Sequence, residues 1–164
     1  MMKTACKIGR LGSWSMMTNI TIRHATPQDK PEWFRLRKTL WPDAPDEYLT
    51  YDMDEIVGNP AWAVLLASRP DGKIIGLLEA HLREYGEGCE TSPVGYIEAW
   101  CVEEEMRGQG VGGRLVGAAE DWARQKGCTE MGSDTWLDNA ISIEAHQKLG
   151  YEEVERLVHF RKAL

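Results

Sequence analysis

Apolar and polar positions along the chain predict a sheet crossed by helices. Ile20 and Ile22 alternate within residues 19–24 and predict a first strand. A helix start follows at Asp29-Lys30-Pro31-Glu32, with Asp29 as cap, Glu32 answering three residues on and Pro31 in the first turn. Trp33, Leu36 and Leu40 form its buried stripe, and Trp41-Pro42 ends it. Residues 45–57 predict an acidic second helix, stopped by Gly58-Asn59-Pro60. Residues 61–68 and 74–85, joined by the turn Pro70-Asp71-Gly72-Lys73, predict a hairpin. Residues 94–102 form the next strand, and Val111, Leu115, Ala118, Ala119 and Trp122 recur at helical spacing up to Gly127. A short strand over 128–133 precedes a helix capped by Asp138, with Ile141, Ala145 and Leu149 buried and Gly150 at its end. Residues 151–162 supply one or two last strands. The order β-α-α-β-β-β-α-β-α-β predicts an α/β (α+β) fold, a mixed sheet with helices on both faces.

The chain has 164 residues, which suits one domain with a real core. Met16 and Met17 stand just before the first strand, so residues 1–16 are expected to be an N-terminal extension and 17–164 a single domain. That start has positive charge but no continuous apolar core, and reads poorly as a signal peptide. No apolar run approaches the roughly 18 residues of a membrane span. Cys6, Cys89, Cys101 and Cys128 show no metal or disulfide spacing, which predicts reduced thiols and a cytoplasmic protein. His24, His81 and His159 show no ligand spacing, so no metal is expected.

The net charge of −7 argues against nucleic acid as the main partner. Its distribution adds more. No base occurs between Lys38 and Arg69, nor between Arg83 and Arg107, while both stretches are rich in carboxylates. If both faced one cleft, the cleft would attract a polycation; two solvated acidic faces are the plainer alternative.

Between the strand at 94–102 and the helix after it lies Arg107-Gly108-Gln109-Gly110-Val111-Gly112-Gly113. A turn this bare can aim its backbone N–H groups at one anion, at the positive end of a helix dipole. A phosphate or pyrophosphate is the natural occupant. Gly108, Gly110 and Gly113 also fit G-x-G-x-x-G, but the dinucleotide fingerprint follows a strand directly within a βαβ unit. Here Glu103, Glu104, Glu105 and Arg107 intervene, and no Lys-Ser/Thr pair follows as in a P-loop.

Read as R-x-x-G-x-G, the same loop resembles the acyl-CoA signature of the GCN5-related N-acetyltransferases (GNAT). The order of elements from Met17 onward resembles that fold, which implies a central, mostly antiparallel sheet flanked by helices. Leu40-Trp41-Pro42-Asp43, Leu78-Glu79-Ala80, Arg83-Glu84-Tyr85, Thr91-Ser92-Pro93-Val94, Ser133-Asp134 with Asp138-Asn139, and residues 149–156 narrow the resemblance to the aminoglycoside 6'-N-acetyltransferases. The resemblance implies acetyl-CoA as co-substrate and an aminoglycoside site lined by Trp41, Tyr85, Glu98, Asp134 and Glu155. It implies that backbone at Trp100, Cys101 and Val102 holds the thioester and pantetheine. Arg107, Gly108, Gln109, Gly110, Val111, Gly112 and Gly113 would hold the pyrophosphate, and Asn139 the pantetheine arm. It also implies a homodimer.

The residue types suit that chemistry. Carboxylates pair with the ammonium groups of an amino sugar, and Trp41 and Tyr85 can stack on a sugar face or an ammonium. Glu98 stands in an otherwise apolar strand, where an unpaired carboxylate is costly, so a paired or functional role is expected. No nucleophile constellation stands out, which favours direct attack in a ternary complex over an acetyl-enzyme through Cys101. Glu98, with Asp134, is the expected proton acceptor, and a strand N–H near Cys101 or Val102 would polarise the thioester. His146 occupies the position where the fold often carries a tyrosine; His146 and Tyr151 are the candidates to protonate the thiolate. A peptide or polyamine N-acetyltransferase, a non-catalytic CoA module and a nicotinamide-binding protein are the alternatives.

Overall fold

The computed structural model describes residues 19–164; the expected extension over 1–16 and Cys6 lie outside the described residues. The elements are β1 (Thr21–His24), α1 (Lys30–Leu40), α2 (Asp46–Ile56), β2 (Trp62–Ser68), β3 (Ile74–Arg83), β4 (Val94–Val102), α3 (Val111–Gln125), β5 (Met131–Ser133) and α4 (Ala140–Lys148). The strands form one five-stranded sheet in chain order. Every pairing is antiparallel except β4 with β5, so the mixed, mostly antiparallel sheet is as expected.

Each face has its own core. Leu115, Ala119 and Trp122 of α3 pack on Leu65, Leu78, Ala80 and Ile97. Trp33 and Leu36 of α1, with Met53 and Ile56 of α2, pack on Leu66, Ile74 and Leu77. Alternation along β3 divides the strand between them: Leu78 and Ala80 face α3, while Leu77 and then Glu79 face α1. His81 and Arg83 follow on the Glu79 side. Leu40, expected in the buried stripe of α1, is only half-buried.

Three local expectations are corrected. Asp29 is the N-cap residue of α1, as expected, but its side chain makes no capping hydrogen bond to that helix. A short 3₁₀ turn, Pro27–Asp29, precedes the helix, and Asp29 closes it by accepting from the Thr26 N–H (2.8 Å) and hydroxyl (2.7 Å). The Asp29 carboxylate also meets Arg23 through both oxygens, at 2.7 and 2.8 Å. The cap of α4 is Asn139, whose Oδ1 accepts from the Ser142 N–H at 3.2 Å, and not Asp138. No residue of α4 is fully buried: Ile141 is 71% exposed and Leu149 is exposed, because nothing among the described residues covers that side of the helix.

The last correction concerns the chain end. Residues 151–164 form no strand. β5 is three residues long and pairs only with β4, so the backbone of the tail finds no ladder among the described residues. Val154, Leu157, Val158 and Phe160 are left exposed, Phe160 at 93%. Val154 rests on Gly88, in the loop after β3, and leaves no room there for a side chain.

Candidate active site

The sheet opens where β4 and β5 part. β5 pairs with Gly95, Tyr96 and Ile97 only, while β4 runs on to Val102. Glu98 to Val102 therefore have no strand on that edge among the described residues. On the other edge, Glu79 pairs with Ala99 and Ala80 with Ile97, so Glu98 is the extra residue of a β-bulge. A bulge turns a strand and re-aims the side chain on it.

The re-aimed carboxylate meets Arg83 through both oxygens, at 2.7 and 2.6 Å, and lies 3.6 Å from His81 Nδ1. His81 is stacked on Trp62, with ring centroids 4.3 Å apart. Arg83 in turn lies 3.6 Å over the Tyr96 ring, and the Tyr96 hydroxyl donates to Asp134 at 3.0 Å. Burial, with the Asp134 charge adding to it, holds that phenol protonated far above its ordinary range. Gly132 makes this possible: a Cβ there would meet the Tyr96 ring at 2.8 Å. Glu98 and Asp134 are thus joined through Arg83 and Tyr96 beside the gap between β4 and β5. Tyr85, 65% exposed, lies two residues beyond Arg83.

At the other end of the gap, the glycine turn feeds α3. Gly108 and Gly110 hold left-handed φ values of +70° and +79°, which glycine adopts without strain. Gly110 is the N-cap of α3 and no side chain caps the helix, so the amides of Val111, Gly112 and Gly113 face outward unpartnered by the helix. The arrangement is an anion cradle. Arg107 Nε donates to the Val102 carbonyl at 3.0 Å and Gln109 Nε2 to the Glu105 carbonyl at 2.9 Å, which fasten the turn to the end of β4. A Cβ at Gly112 would meet the Trp100 ring at 2.8 Å, so the Trp100 side chain packs under the helix start and leaves its backbone on the open edge.

His146 lies beside the same opening, edge-on to Trp100 and to Tyr151. Its Nδ1 is 2.8 Å from the Ser142 carbonyl, an obligate acceptor, so Nδ1 carries the hydrogen. Nε2 then accepts from the Ser133 hydroxyl at 2.9 Å. The Tyr151 hydroxyl donates to Glu120 on α3 at 3.3 Å, and burial raises its pKa strongly. Asn139 spends Oδ1 on its cap and keeps an amide N–H₂ to offer.

Cys101 faces the α1 side, where burial pushes its thiol up to about 11. A protonated thiol is a poor nucleophile at neutral pH. Cys101→Ala is expected to keep turnover within about threefold of the unaltered enzyme, since packing alone is disturbed; a loss of more than 100-fold in a thiol-release assay would restore the acetyl-cysteine route.

The family model for the acetyltransferase (GNAT) family matches residues 32–151. The chain belongs to this family. It is 44% identical to an aminoglycoside N(6')-acetyltransferase type 1 of Stenotrophomonas maltophilia, over 88% of the chain and 94% of the relative. It is 42% identical to one of Klebsiella aerogenes, over 87% and 96%. Among solved structures, AAC(6')-Iy in complex with the bisubstrate analogue CoA-S-monomethyl-acetylneamine matches with a TM-score of 0.85 at 38% identity, over 90% of this chain and all of that one. The aminoglycoside 6'-N-acetyltransferase AAC(6')-Ih of Acinetobacter baumannii matches with a TM-score of 0.83 at 38% identity, over 89% and 99%.

Within this GNAT chain the remaining nominated residues are scattered. Trp41 ends α1, half-buried, with the Arg37 guanidinium 5.1 Å from its ring. Glu155 lies in the exposed tail and makes no ion pair among the described residues; the structure does not join it to Glu98 or Asp134. A cavity of about 420 Å³ opens on the α1 face, lined by His24, Trp33, Ile56, Trp62 and Val64, and includes none of the nominated residues. Sequence reasoning gave no site role to Arg83, Tyr96, His81 or the buried Glu79, though Glu79 and Arg83 stood in the motifs that carried the resemblance. The signal was there: Glu79, His81 and Arg83 alternate with Leu78, Ala80 and Leu82, which puts three polar groups on one side of β3.

Proposed function

We infer that the chain is an aminoglycoside 6'-N-acetyltransferase that moves the acetyl group of acetyl-CoA to the 6'-amine of the drug and so confers resistance. The observation that carries this reading is the pair of carboxylates, Glu98 and Asp134, held beside the open edge of β4 in a chain that matches AAC(6')-Iy over 90% of its length. The glycine turn receives the pyrophosphate, the backbone of Trp100 to Val102 the thioester arm, and Asn139 the pantetheine. Glu98, Asp134, Trp41 and Tyr85 receive the amino sugar. Val154 on Gly88 supports a place for the neighbouring Glu155 beside the Tyr85 loop.

In the reaction the neutral amine attacks the thioester carbon directly. A C–N bond forms and the C–S bond breaks, while an N–H of β4 at Cys101 or Val102 stabilises the oxyanion. Glu98 takes the proton of the incoming ammonium, directly or through water, with Asp134 sharing its charge. The attacking nitrogen sheds its second proton as the C–S bond breaks, and the leaving thiolate takes up one proton on the His146 side of the cleft, with Tyr151, held to Glu120, as the second choice of donor; the nitrogen's proton restores that donor. The protein is a single cytoplasmic domain over 17–164, without nucleic-acid or membrane partners. It is a homodimer in which the exposed apolar tail finds its strand partner in a second copy, which the exposure of Leu157, Val158 and Phe160 supports.

Thiol release from acetyl-CoA tests the reading, with kanamycin A and with an analogue bearing a hydroxyl at the 6' position. Turnover of kanamycin A alone is expected. Equal turnover of both would move the acetyl group to another amine, and turnover of neither would shift the substrate to peptides or polyamines. The cofactor assignment has its own test. Gly110→Ala meets no atom within 4 Å, so its cost is the left-handed φ alone, about 1 kcal/mol. The KM for acetyl-CoA is expected to rise about fivefold, with the KM for kanamycin A unchanged.

A further inference from the structure

Two charged side chains are buried outright among the described residues, and the reaction above uses neither: Arg37 at 3% exposure and Glu79 at 1%. Arg37 Nε lies 3.1 Å from Glu79 Oε1, an ion pair too far out of line to be a hydrogen bond, while the same oxygen accepts from the Trp33 indole N–H at 2.6 Å. The other arms of Arg37 go elsewhere. Nη1 donates to the Leu49 carbonyl of α2 at 3.0 Å, Nη2 pairs with Asp52 of α2, and the guanidinium plane lies 5.1 Å from the Trp41 ring. One planar group therefore ties β3, α2 and Trp41 together.

The tie begins next to the reacting groups. Glu79 pairs across the sheet with Ala99, beside the bulge that carries Glu98. Glu79, His81 and Arg83 form one polar row on β3, covered by α1 at the Glu79 end and open at the Arg83 end, where Glu98 is bound. A buried ion pair gives little net stability over apolar residues of similar size. Its specific product here is geometry: the place of Trp41 and of the acidic helix α2 relative to Glu98.

The geometry points to Arg37 and Glu79 as positioning residues for the amino-sugar site, fixing Trp41 and α2 against the bulge. This rests on the aminoglycoside reading. The unaltered enzyme must first turn over kanamycin A, and its failure to do so would count against that reading and not against the tie.

Arg37→Lys keeps the charge but loses the planar fork, which cannot then serve Glu79, Leu49, Asp52 and Trp41 together. The KM for kanamycin A is expected to rise about tenfold, with kcat and the KM for acetyl-CoA within about twofold. In a Trp41→Ala background the same change is expected to add less than about twofold, because both act through one ring. A second variant, Arg37→Met/Glu79→Gln, removes both charges and keeps an acceptor for Trp33. It is expected to fold with a near-unchanged melting temperature and to show the same rise in KM. An unchanged KM in either folded variant overturns the proposal. So does a tenfold effect of Arg37→Lys that persists in full without Trp41, and so does an equal fall of kcat with a rise in both KM values, which a merely structural role would give.

Discussion

Glu98→Gln is expected to lower kcat/KM for kanamycin A by about 10²- to 10³-fold, in the range by which a positioned proton acceptor contributes. The side chain keeps its size and its place on the bulge, but it can no longer carry the charge that balances Arg83 and an incoming ammonium. The proposed acetyl-CoA site uses other atoms, the amides at the start of α3 and the open edge of β4, so the KM for acetyl-CoA should not move. Steady-state thiol release separates the two constants. Asp134→Asn provides the comparison. Asp134 is exposed and tied only through Tyr96, so a smaller loss, about tenfold, is expected. Retention of more than half the activity in Glu98→Gln would remove Glu98 from the proton path and leave it as the anchor of Arg83.

Arg37→Ala is expected to be the most destabilising single change, by about 3 to 5 kcal/mol at pH 8, because it leaves the Glu79 carboxylate buried and uncompensated. For a chain of this length that is a fall in melting temperature of about 10 °C. The sign with pH follows from Glu79. Burial raises its pKa from 4.5 to about 7, against the lowering influence of Arg37 and the Trp33 indole. The folded chain therefore holds a proton that the unfolded chain releases between those values, and this contribution to stability is full below about 4.5 and lost as pH rises through about 7. Without Arg37 the carboxyl is pushed higher still. The penalty of Arg37→Ala should thus be small at pH 5, where Glu79 is protonated and still accepts from Trp33, and largest at pH 8. Thermal unfolding of both proteins at the two pH values measures it. An equal penalty at both would mean that the loss is packing and not charge.

Local sequence determined a good deal of this protein. Helix and strand order through α4 is set by spacing within each segment, and the glycine turn by residues that must accept left-handed φ, as Gly108 and Gly110 do. Those are short-range effects, readable one window at a time. Glu98 stood out for a local reason too, as a carboxylate inside an apolar strand. What surrounds it was decided in three dimensions. The Glu98 bulge exists because β3 and β4 shift register there, and Arg83, Tyr96 and Asp134 meet because strands bring positions 38 residues apart within 3.0 Å. The burial of Glu79 depends on which face of β3 α1 covers. The chain end marks the limit from the other side: residues 151–162 have strand-like composition, yet a strand needs a neighbour for its backbone hydrogen bonds, and none is present among the described residues. Composition states that a segment can pair; only the tertiary arrangement supplies the partner.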